Sequence, residues 1–257
     1  MSPHLKLRAI VLRTVDYGES DRVVTLLTAE RGKLAAFARG ARASRRRFGG
    51  ALEPFTLLAV EARERRGAEL LWLASAQVER GFGTLRGDLA RIACAAYACE
   101  LARELTRDAE PHPDLFQLLC AYLTSLDAAP PAAAGLRAFE IGALRSAGLG
   151  PRLDCCARCG QAPAEGTRRR FDPAHGGLLC QRCAAFASPA ARDLSPETAR
   201  ALLHLDARGA AGAELGPEVA REAREALTAF IEYHLGRRLQ SRRFLDELGP
   251  ALAGSGN

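Results

Sequence analysis

The sequence predicts an α+β chain, with a small strand-rich module leading a larger helical one. Three observations carry that reading. The first 80 positions hold short apolar runs with strand-like alternation and turn residues between them. Beyond residue 80 the apolar period lengthens to three to four residues. Two Cys-x2-Cys pairs then interrupt the helices. The expected division is residues 1–80 for the strand module and 81–257 for the helical domain, with a cysteine segment inside it at about 151–190.

The first run, "LKLRAIVLRT" at 5–14, places Leu5, Leu7, Ala9 and Val11 on one face. "DRVVTLLTAE" (21–30) is short and β-branched, and "GKLAAFARG" (32–40) follows the turn-like Glu30-Arg31-Gly32. "FTLLAVEARER" (55–65) and "AELLWLASAQVER" (68–80) are joined across Arg66-Gly67, a hairpin turn. Five strands in this space fit a partly open five-stranded barrel of the OB type. A small sandwich fits the pattern alone about as well.

Helices follow. Leu85, Leu89, Ile92, Ala96 and Cys99 recur at helical spacing. Pro113 opens a second helix striped by Leu115, Leu118, Leu119, Tyr122, Leu123 and Leu126. "DAAPPAAAG" (127–135) is a break. A third helix at about 136–147 carries Leu136, Phe139, Ala143, Leu144 and Ala147, and "AGLGP" ends it. After a loop-rich stretch (151–193), Ser195-Pro196 reads as an N-cap and first helical residue. A long amphipathic helix from about Pro217 turns Val219, Ala223, Leu227, Phe230, Ile231 and Leu235 inward.

No apolar run approaches the ~18 residues of a membrane span. "MSPHLKLRAIVLRT" is too short an apolar run and too broken by charge for a secretory signal, so a cytoplasmic protein is expected. Of 36 basic residues, 34 are arginine. With so much alanine, that is the composition of a GC-rich genome and does not by itself argue for nucleic-acid binding. The distribution of charge is more informative. Residues 1–80 hold 15 basic and 9 acidic residues, whereas residues 81–257 hold 21 of each. Within 31–47 there are seven basic residues and no acid, the footprint of a polyanion site.

If 33–39 is a strand, Lys33, Phe37 and Arg39 point to one side, and Arg42, Arg45, Arg46 and Arg47 occupy the loop after it. Such a loop would carry guanidiniums to phosphates on a mobile arm; the bland alternative is a solvated loop. Phe37 is expected to fill the barrel core in preference to stacking on a base. These seven residues are the expected DNA contacts. A second cluster, Arg237, Arg238, Arg242 and Arg243, is either a set of cations near a helix C-terminus or a surface for DNA or an acidic peptide.

Cys94, Cys99 and Cys120 sit among apolar helical residues and read as small core hydrophobes. "CARC" and "CQRC" are different. Cys156, Cys159, Cys180 and Cys183 have the spacing of a zinc ribbon or knuckle, with Gly160 after the first pair and Gly176-Gly177 before the second. Four thiolates close a tetrahedron and leave no water to activate, so one structural zinc ion is expected. Cys155 could shift the register by one but reads as a bystander, and His175 could replace one thiolate. A Cys-x-x-Cys redox centre is the rival reading.

There is no phosphate-loop signature, no H-E-x-x-H and no G-x-S-x-G, and the five histidines are scattered. The acids of "DYGESDR" (16–22) suit a polar turn. Nothing here argues for an enzyme.

The order of "AIVLRTVDYGESDRVVTLLTAERGKLAAFARGARASRRRFGGALEPF", a three-helix middle, "PRLDCCARCG", "FDPAHGGLLCQRC" and "HLGRRLQSRRFLDEL" resembles the RecO family of bacterial DNA repair proteins over nearly the whole chain. The most specific parts are "DYGESDR", the "GK…ARGAR" stretch and the position of the cysteine segment after helices. The resemblance implies an OB-fold barrel that binds single- and double-stranded DNA and anneals complementary strands. It implies work with RecR in loading the RecA recombinase onto DNA coated by single-strand-binding protein, whose acidic C-terminal tail would be a further partner. It implies a nucleoid-associated mediator in the DNA recombination (RecFOR) pathway rather than an enzyme. Not every member keeps the cysteines; here all four positions are filled, so the zinc site carries over. The competing class is a zinc-ribbon transcription or adaptor protein acting through protein–protein contacts.

Overall fold

The computed structural model describes residues 4–44, 46–64, 70–162 and 166–247. Arg45 and the expected Arg66-Gly67 turn lie outside the described residues. The chain divides into two compact units, Met1–Pro130 and Pro131–Asn257.

The first unit opens with β1 (His4–Tyr17), β2 (Asp21–Thr28), β3 (Gly32–Ala38), β4 (Leu57–Arg63) and β5 (Leu71–Arg80). They close into a barrel in the order β1-β2-β3-β5-β4, with β1 pairing back to β4. All neighbours are antiparallel except β3 and β5, which meet in parallel at Ala36↔Leu71 and Phe37↔Trp72. This is the OB-type arrangement, and the sandwich alternative falls. Alternate residues (Leu7, Ala9, Val11, Val24, Leu26, Ala36, Ala38, Leu58, Val60, Leu73) fill the interior. Alanines at 36, 38 and 62 suit a barrel this narrow. A bulge between Val11 and Arg13 resets the parity of β1. Thr14 then reaches inward to donate to the Leu52 carbonyl (2.6 Å), while Arg13, Val15 and Tyr17 face outward. At the end of β2 the Thr28 hydroxyl accepts the Arg31 N–H (3.1 Å) and donates to the Gly32 carbonyl (3.0 Å), so the turn begins before residue 30.

The last barrel strand ends at Arg80, and the compact unit that contains the barrel runs on to Pro130. A single 3-10 turn (Leu85–Gly87) leads into α1 (Leu89–Leu105), followed by α2 (Pro113–Ala128), and both helices belong with the barrel. The Asp88 carboxylate caps α1 by accepting the Arg91 N–H (2.9 Å). The buried face of α1 is Ala93, Cys94, Tyr97, Ala98, Leu101 and Ala102, whereas Leu89, placed on the expected stripe, is 56% exposed. Small apolar residues surround this helix, so spacing alone did not select its inner face. Pro113 opens α2 as expected.

In the second unit, α3 (Ala133–Ser146) is followed by the cysteine segment. That segment contains a sheet the sequence pattern did not show: β6 (Arg169–Asp172), β7 (Gly177–Leu179) and β8 (Arg192–Leu194), in the order β7-β6-β8. Then come α4 (Pro196–Arg208), α5 (Pro217–Leu235) and α6 (Gln240–Glu247). The Ser195 hydroxyl accepts the Thr198 N–H (3.1 Å), confirming the predicted cap. Phe171 of β6 meets Phe230 of α5 with ring centroids 5.3 Å apart, tying the sheet to the helices. Among the described residues no helix is long and apolar enough to cross a membrane.

Candidate nucleic-acid interface and cysteine centre

The cations of 31–47 separate into distinct environments. Lys33 faces away from the barrel core, but its ammonium donates to the carbonyls of Arg103 (2.9 Å) and Thr106 (2.7 Å) and lies 3.3 Å from Asp108. Its side chain is only 17% exposed. It closes the C-terminal end of α1, where a cation is favoured by the exposed carbonyls. Arg31 pairs with Glu64 across the barrel. Arg42 donates to the Glu19 carbonyl (3.1 Å) and lies 3.8 Å from Asp16. Arg47 donates to the Arg39 carbonyl (2.8 Å) and the Ser44 hydroxyl (3.2 Å), with its guanidinium 5.1 Å from the centre of the Phe48 ring. Arg39 and Arg46 are exposed and have no acidic partner among the described residues.

The arginine loop, expected from its composition as a mobile arm, makes packed and hydrogen-bonded contacts with the barrel through its described residues. Phe48, Ala51 and Leu52 are buried in the barrel core. The Gly40 N–H donates to Asp21 Oδ1 (2.7 Å), the Arg42 N–H to the Ser20 carbonyl (3.0 Å), and the Ala76 N–H to the Arg47 carbonyl (3.0 Å). Apolar anchors and backbone bonds thus flank the described arginines on both sides.

Phe37 lies outside the core, which is served on β3 by Ala36 and Ala38. It is half-buried on the outer surface, in edge-to-face contact with Tyr17 (5.8 Å) and in tilted contact with Trp72 (5.2 Å). Four further outward residues were missed from the sequence: Tyr17, Trp72, Arg13 and Arg63. Arg63 is the β4 neighbour of Trp72, and both it and Arg13 are exposed without an acidic partner among the described residues. Unbroken alternation would have put Arg13, Val15 and Tyr17 on the inner face with Leu7, Ala9 and Val11; neither the bulge that turns them outward nor the register that sets them near Phe37 and Trp72 was legible in the chain.

The second basic cluster is largely neutralised. Arg238 reaches Glu232 (3.5 Å) and Asp246 (2.9 Å), Arg242 is buried against Asp246 (3.1 Å), and Arg243 pairs with Glu247 (3.3 Å). Acids therefore offset much of this cluster's charge, and two of its arginines lie on α6 rather than at the end of α5.

The four expected cysteines converge. The Sγ atoms of Cys156, Cys159, Cys180 and Cys183 all lie within 4.8 Å of one another, with Cys159 and Cys180 3.7 Å apart. Thiolates bound tetrahedrally at about 2.3 Å from zinc would be ~3.8 Å apart, so the donor set fits that ion in number, chemistry and spacing. Each pair is a short backbone loop. The Gly160 N–H donates to the Cys156 carbonyl (2.8 Å) with Gly160 at φ +72°, and the Cys183 N–H donates to the Cys180 carbonyl (3.0 Å). Gly177 permits a different feature, since a Cβ there would sit 2.2 Å from the Arg152 carbonyl oxygen. Burial raises the Cys156 pKa, but N–H groups of Cys180, Cys159 and Arg158 outweigh it and hold this thiol at about 6. Burial and the neighbouring thiols push Cys183 up to about 12. Neither Cys155 nor His175 is among the clustered donors; His175 is paired through Nδ1 with Asp172 (2.7 Å). Cys94 and Cys99 are buried in α1, and burial drives the Cys99 thiol up to about 12, in keeping with core roles.

These features define a two-unit α+β protein: a closed OB-type barrel with unpaired cations around an outer aromatic cluster, and a helical unit with a four-cysteine centre. The family model for the N terminal of recombination protein O matches residues 1–82, and the model for its C terminal matches residues 86–243. The chain belongs to the RecO family of DNA repair proteins. It is 66% identical to DNA repair protein RecO of Anaeromyxobacter sp. (strain K), over 96% of this chain and 98% of the relative. It is 51% identical to that of Myxococcus xanthus (strain DK1622), over 94% and 96%, and 42% identical to that of Geobacter sulfurreducens, over 96% and 99%.

Proposed function

We propose that the chain is a DNA-binding recombination mediator that acts by positioning strands rather than by catalysis. The observation that carries this reading is the set of exposed guanidiniums on the barrel, Arg13, Arg39, Arg46 and Arg63, without acidic partners among the described residues. Arg42, Arg45 and Arg47 flank them in the chain and supply further positive potential. Lys33 contributes charge to the region but is committed to the end of α1. Phosphates neutralised here release condensed counterions. Two strands shielded in this way lose their mutual repulsion while their base edges stay free, which is how such a surface promotes annealing. Single- and double-stranded DNA are then both ligands. RecR, and single-strand-binding protein through its acidic tail, are the partners for loading RecA in the bacterial cytoplasm at the nucleoid.

The cysteine centre holds one structural zinc ion in this reading. Cys156, Cys159, Cys180 and Cys183 are its ligands, and the ion supplies the positive charge that lets four thiolates share one site. Metal analysis returns about one zinc per chain, and Cys156→Ser lowers both metal content and stability. A metal-free protein of undiminished stability contradicts this.

DNA binding is tested by titrating a fluorescent single strand over a salt series. Removing two phosphate contacts in Arg39→Ala/Arg46→Ala weakens binding and reduces the slope of log affinity against log salt by about 1.4. An unchanged slope removes these residues from the interface. A wild-type chain with no affinity for naked single strands points instead to the adaptor reading.

A further inference from the structure

We infer that the outer face of the barrel carries a base-stacking track centred on Tyr17, which makes the protein prefer strands with unpaired bases; this rests on the DNA-binding reading above. In register across four strands, Val15 of β1 pairs with Val23 of β2, Val23 with Phe37 of β3, and Phe37 with Trp72 of β5. The row therefore runs perpendicular to the strands on the outside of the barrel. Sheet exteriors facing water are normally polar, and a continuous apolar row on one signals a ligand.

The three rings are not equivalent. Phe37 and Trp72 are half-buried and packed together at 5.2 Å, whereas Tyr17 is 62% exposed and rests edge-to-face against Phe37. Trp72 supports Phe37, Phe37 fixes the Tyr17 ring, and Tyr17 offers most of its surface to solvent. Val15 beside it is 44% exposed.

Charge selects the occupant. Arg13 precedes Val15 on the same face of β1, Arg39 follows Phe37, and Arg63 adjoins Trp72. All three are exposed without acidic partners among the described residues. Two of the acids that flank Tyr17 in the chain are engaged, while the exposed Glu19 carboxylate has no cationic partner among the described residues. Asp16 is paired with Arg22 (3.0 Å), and Asp21 accepts from the Gly40 N–H (2.7 Å) and the Ser20 hydroxyl (3.0 Å). Aromatic rings bordered by free guanidiniums match a ligand with flat π-faces and regularly spaced negative charge, which is single-stranded nucleic acid. A duplex satisfies the guanidiniums but keeps its base faces stacked internally. Annealing thus removes the stacking contribution and favours release of the product.

The chain contains one tryptophan, and it lies in this row, so its fluorescence reports on the track. The test uses the full chain with an oligothymidylate and an abasic strand of equal length. The oligothymidylate should quench Trp72 and bind about tenfold tighter than the abasic strand. Tyr17→Ala should abolish that preference while leaving abasic binding and its salt slope unchanged, and Tyr17→Phe should retain it. Equal binding of the two strands by the wild type, or a preference that survives Tyr17→Ala, overturns the stacking track and leaves the DNA-binding reading standing. Binding of neither strand overturns both.

Discussion

Lys33 and Arg39 face the same side of one strand region, yet they do different things. The Lys33 ammonium is held by two carbonyls at the end of α1 and by Asp108, while Arg39 has no acid within reach among the described residues. Local sequence cannot separate them, because the partners of Lys33 are some 70 positions away in the chain. Replacing Lys33 with Met removes a charged group's hydrogen bonds to a helix end and should cost about 2 kcal/mol in chemical denaturation. It should leave the salt dependence of DNA binding as it is. A loss of ~0.7 from that slope would instead put Lys33 on a phosphate. Phe37 teaches a related lesson. Its strand parity was legible, but whether the parity pointed inward or outward depended on Ala36 and Ala38 filling the barrel.

At the scale of elements, legibility followed the length of the pattern. The barrel strands run for seven residues or more, and alternation in β1, β-branched residues in β2 and turn residues between the runs marked them. Their closure through a parallel β3–β5 contact is a tertiary fact that no local run encodes. The strands β6, β7 and β8 are three or four residues long, below any usable periodicity. The cysteine spacing was readable because a metal site restricts chemistry and separation together. A core of Cys156, Leu179 and Cys183, with Cys180 and Ala187 against it, is small for an independent fold. If zinc holds the segment, a strong chelator should strip amide protection from 151–194 in hydrogen exchange while the barrel strands keep theirs. Equal protection with and without metal would show that the short sheet and its packing suffice.

Across the whole molecule, positive excess is concentrated in the barrel, residues 1–80, and acid sensitivity is built into the second unit. Glu222 on α5 is nearly buried. Its carboxylate accepts from the Thr198 hydroxyl (2.6 Å) and from the N–H and hydroxyl of Ser195 (both 2.8 Å), and it lies 3.3 Å from Arg168. Burial disfavours its charge, but these donors outweigh burial and lower the pKa from 4.5 to about 2. Asp172 is fully buried and also lies below its ordinary value. Burial opposes its charge, while Ser188, His175 and the Ala174 N–H favour it. A carboxylate depressed on folding stabilises the native state above its unfolded pKa, and that contribution is lost as pH falls toward the folded one. The second unit should therefore lose stability between about pH 5 and pH 2, as tracked by amide exchange within α4 and α5. Glu222→Gln keeps the shape but removes the charge that Ser195, Thr198 and Arg168 surround. It should lower stability at pH 7 by about 2 kcal/mol and flatten the loss on acidification. Acid-released metal would also weaken this unit, but that loss would persist in Glu222→Gln, whereas the carboxylate's share would not. A variant with the wild-type pH profile would mean that Glu222 is not the group that couples protons to the fold.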